Sequence, residues 1–153
     1  MTMTEIKGLA RSRTPAQLFA FAFGAVYLLV GLCGFLVTGM RHFASLPAAT
    51  FIVFSVNPLH NIVHVALGVA WLVGWHRPAT ARSVNVAVGG VLGLVTILGF
   101  AGLLRPLGIE SVGDPDNFLH LATAVLSLYF GSAGAYVHAG SHHADDEAAA
   151  SPW

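Results

Sequence analysis

The chain has 153 residues, of which 56% are hydrophobic and 9% charged, with a mean hydropathy of +0.73. Seven basic and seven acidic side chains cannot solvate the surface of a globule of this size, since a soluble domain is about 25% charged; high hydrophobicity equally excludes a disordered chain. The net charge is zero, so no basic field exists to hold nucleic acid, and none is expected as a partner.

The amino-terminal segment, residues 1–14, carries Lys7, Arg11 and Arg13. A first apolar span follows over about 16–38, opened by Thr14 as cap and Pro15 at the first helical position. It is too long for the apolar region of a signal peptide, so a retained anchor helix is expected. Cys33 lies inside it and reads as a small core hydrophobe. Ala20, Gly24, Gly31 and Gly34 on this span, and Gly89 and Gly93 on the third, read as close-packing positions between helices.

Phe51 to Val56 is a short apolar run, too short to cross, which is expected to act as an interfacial lid or to extend the second span outward. That span covers 58–75, opened by Asn57 and Pro58, with Trp71 and Trp75 expected as interfacial anchors at its inner end. The third covers about 84–104. The second outer loop holds Glu110 and Asp114, expected to be solvated, with Asp114 also capping a fourth span over 115–137. Tyr136 is the expected inner anchor there. Spans of about 18 to 23 residues match roughly 30 Å of hydrocarbon, where the backbone must be helical because lipid offers no hydrogen bonds.

The expected fold is therefore all-α, an integral membrane four-helix bundle, with a membrane domain over 15–137 and a disordered cytoplasmic tail over 138–153. Lys7, Arg11, Arg13, Arg77 and Arg82 fall on one side and only Arg41 and Arg105 on the other. That bias places both termini in the cytoplasm of a multi-pass inner (plasma) membrane protein. In the tail, His138, His142 and His143 form a weak compositional metal signal.

The two halves resemble each other. At an offset of 65, Gly24, Val26, Leu29, Val30, Gly34 and Phe35 fall on Gly89, Val91, Leu94, Val95, Gly99 and Phe100. At an offset of 56, Asn61, His64, Ala66, Val69 and Leu72 fall on Asn117, His120, Ala122, Val125 and Leu128. A duplicated two-span unit keeps its orientation, so the halves are expected as parallel helical-hairpin repeats about an axis along the membrane normal.

The duplication matches His60, Asn61 and His64 with Asp116, Asn117 and His120 at the outer ends of spans two and four. His60 and His64 share a helix face, as do Asp116 and His120. Polar groups at that depth turn inward, away from lipid. His60, His64, His120 and Asp116 carry the ligand types of zinc, iron and manganese, and two facing histidines are also the axial pair of a haem. A different reading is structural, with Asn61 reaching His120 and Asn117 reaching His64 as a reciprocal hydrogen-bond clamp. A proton or small-molecule site is the remaining reading.

Several stretches resemble a known family: Pro15-Ala-Gln-Leu-Phe-Ala, Phe23-Gly-Ala-Val-Tyr-Leu, Asn57-Pro-Leu-His-Asn-Ile-Val-His and Asp116-Asn-Phe-Leu-His. The chain resembles, over about residues 12–137, small four-span bacterial membrane proteins catalogued as domain of unknown function 4383, frequent in actinobacteria. The resemblance implies the topology and the paired motif, and no reaction. The layout is similar, at fold level only, to four-span redox-accessory proteins of the DoxX kind. Three functions stay open: a non-enzymatic membrane component whose cluster is a clamp or metal site, a redox protein or enzyme with haem or metal between spans two and four, and a small transporter. Expected partners are the lipid bilayer and a second copy or another membrane protein. No nucleophile set, phosphate loop or nucleotide fingerprint is present.

Overall fold

The computed structural model describes residues 13–46 and 49–133. The fold is all-α apart from one short hairpin. Among the described residues four helices run Pro15–Thr38 (α1), Pro58–Gly74 (α2), Pro78–Phe100 (α3) and Pro115–Gly131 (α4). Between α1 and α2 lie two antiparallel strands, Ala49–Phe51 (β1) and Phe54–Val56 (β2), with Thr50 opposite Ser55. A 3-10 turn, Arg105–Leu107, sits between α3 and α4.

All four helices begin on proline, whose fixed φ and missing N–H suit the first helical position. Thr14 and Gln17 form a capping box at α1, and the Gln17 amide also donates to Trp75 O at 2.9 Å, tying the start of α1 to the end of α2. Asn57 accepts from His60 N at 2.9 Å, while its own amide donates to Pro106 O at 2.9 Å. Asp114 caps α4, as its sequence position indicates, but it is buried rather than solvated; Glu110 is exposed. Helix α3 starts at Pro78, six residues before the expected 84, and ends at Phe100 instead of 104. Arg77 offers no side-chain cap, so the sequence there carries only proline as a start signal.

α1 packs along α2, and α3 along α4, at points where glycine removes a side chain. A Cβ at Gly24 would meet Leu72 Cγ at 2.9 Å, and one at Gly89 would meet Leu128 Cγ at 2.9 Å. Gly31 and Gly34 lie in similar contacts, whereas Gly93 faces open space and packs against nothing. Cys33 is half-buried.

The core has two halves. One is aromatic, built on Trp71, with Tyr27 and Phe19 at centroid separations of 5.1 and 6.0 Å. Trp71 is therefore a fully buried core residue and no interfacial anchor. Trp75 is half-buried beneath the Arg13 guanidinium, 4.7 Å from its ring. The other half is polar and holds the buried side chains of the site below. Outside, the pattern inverts: Leu36, Val73 and Ile97 are 87, 69 and 67% exposed. Among the described residues, α1 and α3 are long and apolar enough to cross a membrane, and α2 is a shorter apolar helix. Tyr136, the tail histidines and the remainder of the expected fourth span beyond residue 133 lie outside the described residues.

Candidate metal centre

The first two turns of α2 and of α4 bring the site together. The Asn57 cap fixes the start of α2, so His60 and His64, one turn apart, both point into the bundle. Asp114 does the same for Asp116 and His120 on α4. All four side chains are buried. One nitrogen each from His60, His64 and His120 lie within 4.8 Å of one another. The rings sit in mutual contact: centroids are 4.6 Å apart for His60 and His64, 5.8 Å for His60 and His120, and 6.1 Å for His64 and His120. His60 Nε2 lies 3.9 Å from Asp116 Oδ1.

The hairpin completes the arrangement. Ser55 donates its backbone N–H to Asp116 Oδ2 at 3.1 Å, and His60 Nδ1 lies 3.0 Å from Ser55 O. A carbonyl only accepts, so His60 must carry its proton on Nδ1, and its Nε2 then presents a lone pair to the cluster. This is how ligating histidines are oriented, with the far nitrogen donating to a backbone carbonyl. The apolar run Phe51 to Val56 is thus a strand pair laid over the site, and it does not extend α2. Its involvement through backbone atoms alone explains why Ser55 carries no motif.

Asn61 and Asn117 do not form the reciprocal clamp. Asn61 donates to Thr38 Oγ1 at 3.0 Å, at the end of α1, and Asn117 donates to Ser111 O and Val112 O at 3.1 and 3.2 Å. Each amide fills the notch of a glycine on the helix before it: a Cβ at Gly34 would collide with the Asn61 amide, and one at Gly99 with that of Asn117. The amides therefore brace each hairpin internally. That leaves the imidazoles without them: His60 Nε2, both nitrogens of His64, His120 Nδ1 and Asp116 Oδ1 are buried with no hydrogen-bond partner among the described residues. Buried polar atoms are normally paired, and each exception asks for an explanation.

Three imidazole nitrogens and a carboxylate oxygen are a donor set for zinc or iron. The three histidine nitrogens form one close group, and Asp116 stands beside it, its Oδ1 3.9 Å from His60 Nε2. A cavity of about 100 Å³ adjoins His64 and Asp116. The His60 and His64 rings meet edge to face, with 80° between their planes.

A four-helix protein with buried imidazoles and a carboxylate beneath a hairpin is the class these observations define. Residues 17–133 match the family described as domain of unknown function (DUF4383), and the chain belongs to that family. No curated protein and no solved structure matches it.

Proposed function

We propose that this chain is a multi-pass membrane protein of the inner (plasma) membrane whose four helices enclose a metal centre of His60, His64, His120 and Asp116. Zinc or iron is the ion the donor set suits. The observation that carries the reading is the convergence of unpartnered nitrogens from three buried histidines. Leaving them unpaired costs the desolvation of each, about 1–3 kcal/mol per group. An ion removes that cost at once.

The membrane setting is supported by the inverted surface. Polar Asn85, Asn117, Asp116 and Ser127 are fully buried, while leucine, isoleucine and valine are exposed along the helices. In water that pattern is penalised on both faces; in lipid it is favourable on both. The Lys and Arg distribution favours both termini in the cytoplasm, with the hairpin and metal centre toward the outer face. The paired contacts Gly24–Leu72 and Gly89–Leu128, and Gly34–Asn61 and Gly99–Asn117, favour two parallel repeats. On that reading His60 faces its counterpart Asp116, and His64 faces His120. A second copy of the chain, or another membrane protein, is the further partner we propose.

The test is elemental analysis of protein purified in mild detergent, paired with thermal melts before and after chelation. One zinc or iron per chain, with chelation lowering the melting temperature of wild type but not of His64→Ala, is the expected result. A melt indifferent to chelator in protein that also holds no metal would refute the centre.

A further inference from the structure

We infer that the end of α3 carrying Arg82 holds a binding site for one anionic phospholipid, its phosphate at Arg82 and an acyl chain laid along the open face of the helix. The inference rests on the membrane reading above and assigns a site at the opposite end of the bundle from the metal centre. A groove of about 530 Å³ runs between α3 and α4, lined by Ala79, Arg82, Ser83, Val86, Ala87 and Gly131. Its floor lies where the two helices touch: a Cβ at Gly131 would meet Val86 N at 2.8 Å. Arg82 is half-buried, while Ser83, Val86 and Ala87 are exposed. Residues three and four apart share a helix face, so this face continues through Gly90, Leu94 and Ile97. Neither Gly90 nor Gly93 beside it has a neighbour within 4 Å of where a Cβ would stand, and Leu94 and Ile97 are exposed. Glycine weakens a helix interior, and among the described residues no other helix uses the room that these two leave.

Charge selects the headgroup. Gln17 ties the start of α1 to the end of α2, α3 begins directly after Arg77, and Gly131 near the end of α4 packs on Val86. Among the described residues the Asp, Glu, Lys and Arg side chains at that end are Arg13, Arg77 and Arg82, whereas Glu110, Asp114 and Asp116 all lie toward the other. Arg82 stands four residues into α3, about 6 Å along it, at the edge of the apolar face. A guanidinium pairs with phosphate through two parallel N–H···O bonds, and the cytoplasmic leaflet supplies anionic lipids. A zwitterionic headgroup would bring a further cation to an end that already carries three. Two other occupants fit less well. The small residues Ala79, Ser83, Ala87 and Gly90 would also let a second copy approach. A symmetric pair of these faces, however, sets two Arg82 side chains at one interface with no acidic partner among the described residues at that end. The chain beyond α4 carries Asp145, Asp146 and Glu147, but a peptide laid along this face would turn unpaired backbone groups to hydrocarbon.

The test is native mass spectrometry of the whole chain, extracted in mild detergent and offered dioleoylphosphatidylglycerol or dioleoylphosphatidylcholine. One phosphatidylglycerol retained per chain, and no phosphatidylcholine, is the expected result. Arg82→Gln should weaken retention about tenfold or more, as loss of a charge-assisted pair does. Arg77→Gln removes the same charge outside the groove and should retain the lipid. Gly90→Phe puts a ring on the open face and should lose the lipid with both arginines intact. Equal retention of the two lipids, equal loss in Arg77→Gln and Arg82→Gln, or wild-type retention in Gly90→Phe overturns the site. So does a lipid-free dimer, which assigns the face to a second copy. Retention seen only when Asp145→Asn, Asp146→Asn and Glu147→Gln are combined assigns the face to the acidic segment and overturns it too. A chain recovered in the soluble fraction without detergent refutes the membrane reading and the site together, whereas a membrane-extracted chain that holds no phosphatidylglycerol overturns the site alone.

Discussion

His64 is the most telling residue, because both its nitrogens are buried with no hydrogen-bond partner among the described residues. Glutamine in its place would serve well enough as a hydrogen-bonding group but poorly as a ligand to a borderline metal. His64→Gln is therefore expected to abolish metal binding as fully as His64→Ala, measured by metal content after dialysis. The pH dependence has a definite sign. Imidazole binds an ion only when neutral, so protons compete with the ion and metal affinity should fall, never rise, as the pH is lowered, measured by metal content after dialysis across a pH series. At this scale the sequence was informative about identity and less so about partnership. The matched Asn-x-x-His pairs marked side chains that the fold buries, and helical spacing put them on inward faces. The direction of each amide was not legible, because it depends on which glycine of the preceding helix leaves room. Gly34 and Gly99, read only as packing residues, are those notches. Gly34→Ala should destabilise the protein by about 1–3 kcal/mol, the cost of overpacking, visible as a lowered melting temperature.

The β1–β2 hairpin is the element the sequence least revealed. Its turn, Ile52 and Val53, lacks the glycine and asparagine that advertise a two-residue hairpin, so six apolar residues read as a lid or a helix extension. Its role rests on the backbone of Ser55, which holds both His60 and Asp116. Two substitutions separate backbone from side chain. Ser55→Ala keeps both main-chain groups and should leave metal affinity unchanged. Ser55→Pro deletes the N–H that Asp116 accepts from, and should weaken affinity by about 10–100-fold, as loss of an orienting hydrogen bond does. Competition titration against a chelator of known affinity measures both. Helix α3 tells a complementary story. Its Pro78 start repeats the signal of the other three helices, but Arg77 cannot cap and Arg82 reads as a loop charge, so the expected beginning fell six residues late.

Across the whole molecule, composition pointed toward a membrane, with too few charges to cover a surface, and among the described residues α1 and α3 are long and apolar enough to cross one. The packing adds the complementary half, with amides, hydroxyls and imidazoles inside and aliphatic side chains outside. The Lys and Arg bias then predicts sidedness. With Cys33→Ser as background, cysteines at Ser45 and Thr80, both exposed, should differ toward an impermeant thiol reagent on intact cells. Ser45→Cys should label and Thr80→Cys should not; the reverse pattern would invert the orientation. What no sequence pattern carried is the way the two hairpins bring the site's side chains together. His60 and Asp116 lie 56 residues apart and meet only because α2 and α4 face each other across the bundle under one hairpin.

The proposed metal centre is tested most directly by X-ray absorption at the metal edge of protein purified without added metal. Three nitrogen scatterers at about 2.0–2.1 Å with the outer-shell pattern of imidazole rings, joined by one oxygen, are predicted for a bound zinc ion. The signal should fall to fewer imidazoles in His120→Ala. A first shell of oxygen alone, or a spectrum unchanged by His120→Ala, would contradict the account.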